Sequence, residues 1–368
     1  MNMNINNIQQ SNPNFKGYDA IKLKGFYMQG LIQPCEKRIF HEMKQIAQKE
    51  GLDLFINQNN TGVKTNLLEN ILPDQKLSIW GQDRKAFIKK NNSNTILENT
   101  CETILNETDF KPIGQYKILA EKYIPRGGNY YIGYNNNGEK WLLLNAAEIY
   151  DKKAFNEFGD KPTKELFSTL FEINPKNIFV INEFFTDLDE VIRPIGYPYV
   201  LVNNYSENLK NIKKLEQKFP ESKELIKKLR DYSEKRIHEN HSEALKSYGF
   251  IPINISANYL NDINFINAIA FKNKNNKLSY ITNSTKNSYP ELEYLEQLFE
   301  EDLRKKVKDI EQIHFVSGGK KDVDEPDSDI LTITLPSFGL KKGNTIMDIL
   351  ANRHGGIHCM TAEIPLEH

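Results

Sequence analysis

The C-terminal segment of the chain contains the residues best suited to carry out chemistry. It reads His354-Gly355-Gly356-Ile357-His358-Cys359-Met360-Thr361. Glycines let the backbone approach a ligand closely, and an imidazole near a thiol favours the thiolate, the form that attacks carbon. The alternative is a buried cysteine that packs as a small apolar side chain. The glycine pair and His358 favour Cys359 as a nucleophile.

Three further segments place polar side chains beside glycines or strand ends. They are Ile79-Trp80-Gly81-Gln82-Asp83-Arg84, Pro125-Arg126-Gly127-Gly128-Asn129 and the run from Phe184 to Gly196. Each also has an ordinary interpretation: a surface ion pair, a turn and an acidic helix start. On an extended segment, Asp187 and Asp189 would face the same side. A metal site is not favoured there, because no histidine lies near enough in sequence to complete a usual ligand pattern.

Carboxylates on separate segments, together with a thiol, predict a site for a planar cation. A guanidinium binds carboxylates through paired, charge-assisted hydrogen bonds. A thiolate beneath the guanidinium carbon could attack it and expel ammonia, leaving a thiouronium adduct that water resolves. A general acid and base, most often histidine, would protonate the leaving nitrogen and activate the water.

Composition limits the partners that the chain can have. With 368 residues, 39% of them hydrophobic, and a formal net charge of −1, the chain is globular and lacks a basic surface for nucleic acid. Its apolar runs are shorter than the roughly 18 residues of a membrane helix, so we expect neither a nucleic-acid nor a membrane partner. Three cysteines in so long a chain favour a reducing compartment. We therefore expect a cytoplasmic protein, with export by a leaderless route as an effector as the alternative.

Hydrophobic patterning predicts an α/β fold. Helices are expected at 36–50 and 291–308, with at least two more over 208–246, where Pro220 interrupts the pattern. Strands are expected at 52–56, 117–123, 130–134, 140–144, 178–181, 199–202, 264–271, 278–281, 313–316 and 330–335. The turn Asn137-Gly138 is expected to join 117–123 to 140–144. Repeated units and a doubly wound sheet both remain compatible with this pattern.

The domain organisation follows from the same features. Residues 1–15 are rich in Asn and Gln and are expected to form a disordered tail. Residues 16–365 are expected to form one catalytic domain, with a helical insertion at about 206–247. The final Leu366-Glu367-His368 looks like the start of a tag.

The four segments, in this order, resemble those of the guanidino-group-modifying enzymes of the pentein fold, the arginine, agmatine and peptidylarginine deiminases. The run Trp80–Asp83 resembles a Trp…Asp segment, and Gly127-Gly128-Asn129 resembles a Gly-Gly-Asn turn. The run Gly355–Thr361 resembles the C-terminal motif that carries the nucleophile. This resemblance implies a pentein-type, pseudo-fivefold α/β propeller of ββαβ units with the site in its central channel.

The resemblance also implies roles for individual residues. Cys359 would be the nucleophile of an arginine-type deiminase that gives a ureido product and ammonia without a cofactor. Asp83 and Asp189 would bind the guanidinium of a small molecule or of a protein arginine. The pocket would be lined by Trp80, Gly128 and Asn129. The acidic run 322–329 raises the question of calcium, but it lacks the regular ligand spacing, and a solvated turn is favoured.

One departure from the family pattern affects the chemistry. Pro194 and Gly196 set the register of the third segment, which places Asp187 where the family has its catalytic histidine. Asp187 could act as a proton carrier, which needs burial or like-charge crowding; it could instead be a third cation ligand or a sign of altered or lost activity. His354 or His358 could then supply the acid and base. An amidinotransferase, another guanidine-modifying enzyme and a catalytically weak pentein that binds arginine-containing partners are the alternatives.

Overall fold

The computed structural model describes the chain in blocks. These are residues 22–28, 34–56, 85–90, 93–99, 117–121, 125, 127–149, 163–183, 186–239, 241–260, 263–286, 289–317 and 356–365. They belong to two compact units. The terminal unit comprises Lys22–Asp189 and Gly356–His368, and the central unit comprises Met1–Ile21 and Glu190–Gly355. The tail, the single catalytic domain 16–365 and the tag remain predictions.

The described part of the terminal unit contains three three-stranded sheets. Strands β1 (Leu23–Met28), β2 (Asp53–Ile56) and β17 (Thr361–Pro365) form the first, in the order β17-β1-β2. The second consists of β3 (Lys85–Lys90), β4 (Ser93–Asn99) and β5 (Lys117–Glu121), and the third of β6 (Tyr130–Tyr134), β7 (Lys140–Asn145) and β8 (Ile178–Ile181). Each sheet combines one antiparallel pair with one parallel pair.

Helices connect two of the three parallel strand pairs of this unit. Helix α1 (Pro34–Glu50) lies between β1 and β2, while α2 (Ala146–Ile149) and α3 (Lys164–Phe171) lie between β7 and β8. The spacing of Ile39, Met43 and Ile46 gives α1 a buried apolar face. Helix α3 begins at an N-cap, where the Thr163 hydroxyl accepts from Leu166 N at 3.2 Å. The C-terminal helix α8 (Ile357–Met360) is one turn that leads directly into β17.

The central unit repeats this strand pattern. Strands β9 (Ile192–Gly196), β10 (Tyr199–Asn203) and β11 (Ile251–Ile255) form one sheet. A two-stranded ladder follows, made of β12 (Asn258–Leu260) and β13 (Ile263–Asn264). The last sheet consists of β14 (Ile269–Lys272), β15 (Leu278–Asn283) and β16 (Ile310–Val316). Both three-stranded sheets again pair one antiparallel and one parallel neighbour.

Four helices cover the sheets of the central unit in its described residues. They are α4 (Tyr205–Lys218), α5 (Lys223–Lys235), α6 (His241–Ser247) and α7 (Pro290–Lys306). Helix α4 is capped by Asn204, whose side chain accepts from Glu207 N at 3.1 Å. The core includes Phe265 and Phe299, whose rings stack at a centroid distance of 5.0 Å. Apolar side chains spaced along α4, α5 and α7 pack into the same cluster.

The predicted α/β class is confirmed, and five three-stranded sheets of one topology are seen within the described ranges. The propeller arrangement remains a prediction. The predicted partner of strand 140–144 was wrong, because the Asn137-Gly138 turn joins β7 to β6, while β5 pairs with β4. The strand predicted at 264–271 was only partly right, because Asn264 lies in the separate β12–β13 ladder and β14 begins at Ile269. Strand 330–335 and the acidic run 322–329 lie outside the described residues.

No helix within the described ranges combines the length and the apolarity that a membrane crossing requires.

Candidate functional site

The predicted nucleophile lies in the single helical turn before the last strand. Gly356 is the N-cap of α8 in an extended conformation (φ −130°, ψ −161°). The hydroxyl of Thr361 donates to the carbonyl oxygen of Ile357 at 2.9 Å and closes the turn. Cys359 is buried and is not part of a disulfide. The local sequence therefore fixes the backbone on both sides of the thiol.

A single carboxylate oxygen joins the thiol to the imidazole beside it. Asp189 Oδ2 lies 2.8 Å from His358 Nδ1 and accepts from Cys359 Sγ at 3.3 Å. The Asp189 side chain is fully buried. Since a carboxylate oxygen only accepts, the hydrogen bond requires the proton to be on Nδ1. Asp189 thus orients the His358 ring and also contacts the sulfur atom.

The other side of the His358 ring faces a second carboxylate. His358 Nε2 lies 3.8 Å from Glu363 Oε1 on β17. The ring of Tyr131 packs against the imidazole at a centroid distance of 5.5 Å and an interplanar angle of 39°. His358 is therefore hydrogen-bonded at Nδ1, packed along one face, and close to a carboxylate at Nε2.

The amide of Asn129 organises two further carboxylates. Its Nδ2 donates to Glu148 Oε1 at 3.0 Å and to Asp187 Oδ1 at 2.8 Å. Its Oδ1 accepts from Asn145 Nδ2 at 2.7 Å and from Leu188 N at 3.2 Å. Asn129 is fully buried, so both the nitrogen and the oxygen of its amide make their hydrogen bonds inside the protein. This geometry makes Asn129 a residue that positions carboxylates.

The Gly-Gly-Asn segment forms one 3-10 turn, Gly127–Asn129, that enters β6 with all three residues buried. A side chain at Gly128 would place its Cβ 3.1 Å from Asp189 Oδ1 and 3.2 Å from Asp187 Oδ2. These are tighter approaches than ordinary van der Waals contact. A glycine at this position therefore lets the two carboxylates lie against the backbone.

Six of the predicted site residues converge in the terminal unit, and each has been located above: Gly128, Asn129, Asp187, Asp189, His358 and Cys359. The extended conformation expected for the Asp187–Asp189 segment was wrong, because Asp189 lies in the 3-10 turn Leu188–Glu190. Both carboxylates nevertheless approach Gly128. Trp80 and Asp83 lie outside the described residues, as do Arg126 and His354.

Two acidic residues of the site were not predicted. Glu148 lies on α2 directly after the buried strand β7 and is almost fully buried. An acidic residue shortly after the apolar run Trp141–Leu144 was the available signal. Glu363 lies two residues beyond Thr361 on β17, so the two side chains share one face of the strand. Nothing in the sequence distinguishes Glu363 from an ordinary strand glutamate.

The arrangement combines a thiol, an imidazole and a concentration of negative charge. Glu148 and Asp187 meet at Asn129, while Asp187 and Asp189 meet at Gly128. Three carboxylates in a mostly buried site attract a cation, and the planar guanidinium matches carboxylates best. The thiol is held by one of the same carboxylates. The site can thus bind a cation beside a potential sulfur nucleophile.

Comparisons with known proteins gave no match to a protein-family model and none to a curated protein sequence. Solved structures do match. A cysteine-to-serine variant of the agmatine deiminase of C. jejuni with substrate bound superposes with a TM-score of 0.53 at 13% identity, over 95% of each chain. The agmatine deiminase of Enterococcus faecalis gives 0.51 at 10% identity, over 96% of this chain and 97% of that one.

At such low identity the similarity establishes the fold alone. It extends over nearly the full length of both chains, as it also does for the C. jejuni enzyme without the substitution (TM-score 0.51, 14% identity). The resemblance seen in the sequence is therefore confirmed at the level of the fold. The chain has the α/β fold of the agmatine deiminases.

Proposed function

We propose that the protein is a deiminase-type hydrolase that cleaves a C–N bond of a guanidinium group. The reaction would convert R–NH–C(NH2)2⁺ and water into a ureido product, R–NH–CO–NH2, and ammonium. The proposal depends on one observation: Cys359 Sγ and His358 Nδ1 share the same oxygen of Asp189. A thiol, a proton carrier and a buried carboxylate then occupy one site within the fold of known guanidine hydrolases.

In the first half of the reaction, the Cys359 sulfur donates an electron pair to the guanidinium carbon and forms a C–S bond. The thiol proton is already directed at Asp189 Oδ2. A C–N bond breaks, its electron pair stays with the nitrogen, and that nitrogen takes up the thiol proton and leaves as ammonia. In the second half, water adds to the same carbon and the C–S bond breaks with its electron pair on sulfur. One water proton returns to the sulfur, and the other converts the ammonia into ammonium.

His358 is the preferred proton carrier of the proposed mechanism. Its ring contacts Asp189 on one side, and Asp189 in turn contacts the thiol. Asp187 is the other candidate left open by the sequence, but its Oδ1 accepts from Asn129 in this structure. That oxygen is occupied by the amide proton and is a poorer site for proton transfer. Asp187 is therefore better suited to hold a cation than to carry a proton.

Substrate binding in the proposal uses the carboxylates gathered around Gly128 and Asn129. Glu148 and Asp187 are held in place by the Asn129 amide, which leaves them rigid partners for a guanidinium. The predicted guanidinium-binding role of Asp189 remains a proposal, with its Oδ1 directed toward Gly128. Asp83 and Trp80 are proposed, from the resemblance, to complete the pocket.

A direct assay tests the proposal. The purified protein is given arginine, agmatine or an arginyl peptide, and ammonia and ureido products are measured. We expect release from at least one of the three, loss of release in Cys359→Ala, and retention in the matched control Cys35→Ala. Mass spectrometry should find a covalent adduct on the peptide that contains Cys359 during turnover. If the native protein releases no ammonia from any of the three guanidines, the proposed hydrolase activity is rejected.

The other guanidine chemistries give different readouts in the same assay. Formation of ornithine from arginine that depends on added glycine would indicate an amidinotransferase. Binding of a guanidine with no release in the wild type would indicate a pentein that only binds arginine-containing partners. Asp187, at the position of the family's catalytic histidine, is the observation that keeps this binding function as the second candidate.

The finer expectations from the sequence belong to the proposal as well. The substrate would be a guanidino small molecule or an arginine of a protein, and the latter reaction would be citrullination. The cell compartment would be the cytoplasm, or a host cell reached by leaderless export. Fractionation of the source cells and their medium, followed by immunodetection, separates these two locations.

A further inference from the structure

We propose that Glu363 relays protons between solvent and the Nε2 atom of His358, while Asp189 holds the opposite ring nitrogen. Glu363 would then be a positioning residue that acts through His358. This inference rests on the proposed function, in which His358 carries protons. It adds a residue that neither the resemblance nor the sequence assigns.

The exposures of the three side chains form a gradient from the interior to the surface. The Asp189 side chain is 0% exposed and that of His358 is 7% exposed. The Glu363 side chain is 21% exposed. A proton released at the buried end needs a path to water, and Glu363 is the group in this row that reaches it.

The hydrogen-bonding roles of the imidazole determine the direction of the path. Nδ1 must donate to Asp189 Oδ2, so in the neutral ring Nε2 carries the lone pair. Glu363 Oε1 lies 3.8 Å from this nitrogen, an ion-pair distance that is longer than a direct hydrogen bond. In the proposed relay, protons pass between Nε2 and Glu363, and Nδ1 stays bonded to Asp189.

The fold keeps this geometry in place. The residues Glu363 and Phe26 are paired across the antiparallel β1–β17 ladder, which fixes where the glutamate backbone lies. Tyr131 packs against the His358 ring. The titratable groups in contact with His358 include Asp189, Tyr131 and Glu363, and Asp189 also contacts Cys359. Among the carboxylates in this set, Glu363 is the one with access to solvent.

The test compares Glu363→Gln with the matched control Glu165→Gln, which removes an exposed carboxylate of α3. A positioned general acid or base is typically worth about 10²- to 10⁴-fold in rate, so loss of its relay should lower turnover by roughly 10- to 100-fold. We expect this loss in Glu363→Gln in dilute buffer and not in the control. Added formate should restore turnover in proportion to its concentration. A merely structural defect would not respond to formate.

A second measurement does not need turnover. In protein with ¹⁵N-labelled histidine, the two ring nitrogens of His358 are assigned by their loss in His358→Gln. Glu363→Gln should change the Nε2 shift and leave the Nδ1 shift, because Asp189 still holds Nδ1. Identical Nε2 shifts in the two proteins, or turnover that is equally high without formate, would overturn the relay. If the wild type releases no ammonia but the Nε2 shift responds as expected, the proposed hydrolase activity is rejected, while the interaction between Glu363 and His358 Nε2 is retained.

Discussion

The substitution Asn129→Asp tests the hydrogen-bond geometry at the centre of the site. It keeps the shape of the side chain and replaces the amide nitrogen with an oxygen. That oxygen would lie about 2.8 to 3.0 Å from Asp187 Oδ1 and Glu148 Oε1, where Nδ2 now donates. Two attractive contacts would become two repulsive ones.

The magnitude follows from these distances. At an effective dielectric constant near 20, two unit charges about 3 Å apart repel by roughly 5 to 6 kcal/mol. The partly exposed Asp187 is screened more than the buried Glu148. The new carboxyl group will therefore take up a proton near neutrality instead of remaining charged, since like-charge crowding and burial raise such a pKa by about 3 units. At about 1.4 kcal/mol per unit, the cost at pH 7 is about 4 kcal/mol.

The same reasoning gives the direction in which the free energy of unfolding of this variant changes with pH. Below the unfolded-state value of about 4, the new group is protonated in both states and the variant is only slightly less stable than the wild type. As the pH rises from this value toward the raised folded-state pKa, the unfolded chain loses the proton while the folded state keeps it, and the free energy of unfolding falls progressively below the wild-type value. Denaturant unfolding at pH 4.5 and 7.5 measures this difference.

Asn137→Asp is the matched control, because Asn137 is exposed on the β6–β7 turn. Its effect on the free energy of unfolding should stay within about 0.5 kcal/mol at both pH values. If Asn129→Asp is no more destabilising at pH 7.5 than this control, the Asn129 amide does not donate to the two carboxylates, and the structure of the site is wrong.

Three further substitutions probe other contacts. Gly128→Ala should lower turnover by about 10- to 100-fold, because its Cβ would displace the carboxylates of Asp187 and Asp189; unchanged kcat and KM would show that these approaches do not matter. Asp189→Asn should lower kcat by at least about 10²-fold, since it weakens the hold on His358; wild-type kcat would contradict the shared-oxygen geometry. Burial raises the pKa of Glu296 above 4.5. Its contribution to the free energy of unfolding is therefore fully present below that pH and is lost as the pH rises. Glu296→Gln should gain stability relative to wild type as the pH is raised from 4.5 to 7 in unfolding experiments, and the absence of such a gain would contradict this prediction.

Hydrophobic periodicity predicted the long helices and about half of the strands. The apolar face of α1 and the Pro220 interruption before α5 follow from local sequence. Strands β1, β3, β4, β9 and β11 were among those missed. The short apolar runs of β3 and β4 are flanked by Lys, Asn and Ser, which are also typical of loops. The pairing of β7 was also misassigned. An Asn-Gly dipeptide predicts a turn, but it does not identify which neighbouring strands the turn joins.

The parts of the site that could be predicted are those in which the functional residues are consecutive in sequence. Gly127-Gly128-Asn129 and the Cys359 turn belong to this class, and the structure describes both. Their partners depend on tertiary contacts. Glu148 is part of the site only because Asn129, 19 positions earlier in sequence, donates to it. Such a bond leaves no periodicity in the sequence, so residue type and spacing cannot reveal it.

The aspartate at position 187 has a physical consequence within this network. Asn129 offers two amide protons, and it directs one to Glu148 and one to Asp187. The Asp187 oxygen that meets Asn129 is therefore occupied by an amide proton. In the proposed mechanism the proton carrier is instead the imidazole of His358, which lies near both a buried and a partly exposed carboxylate. On this view the chain keeps a cysteine, a histidine and an aspartate in contact, with the histidine supplied by the C-terminal turn.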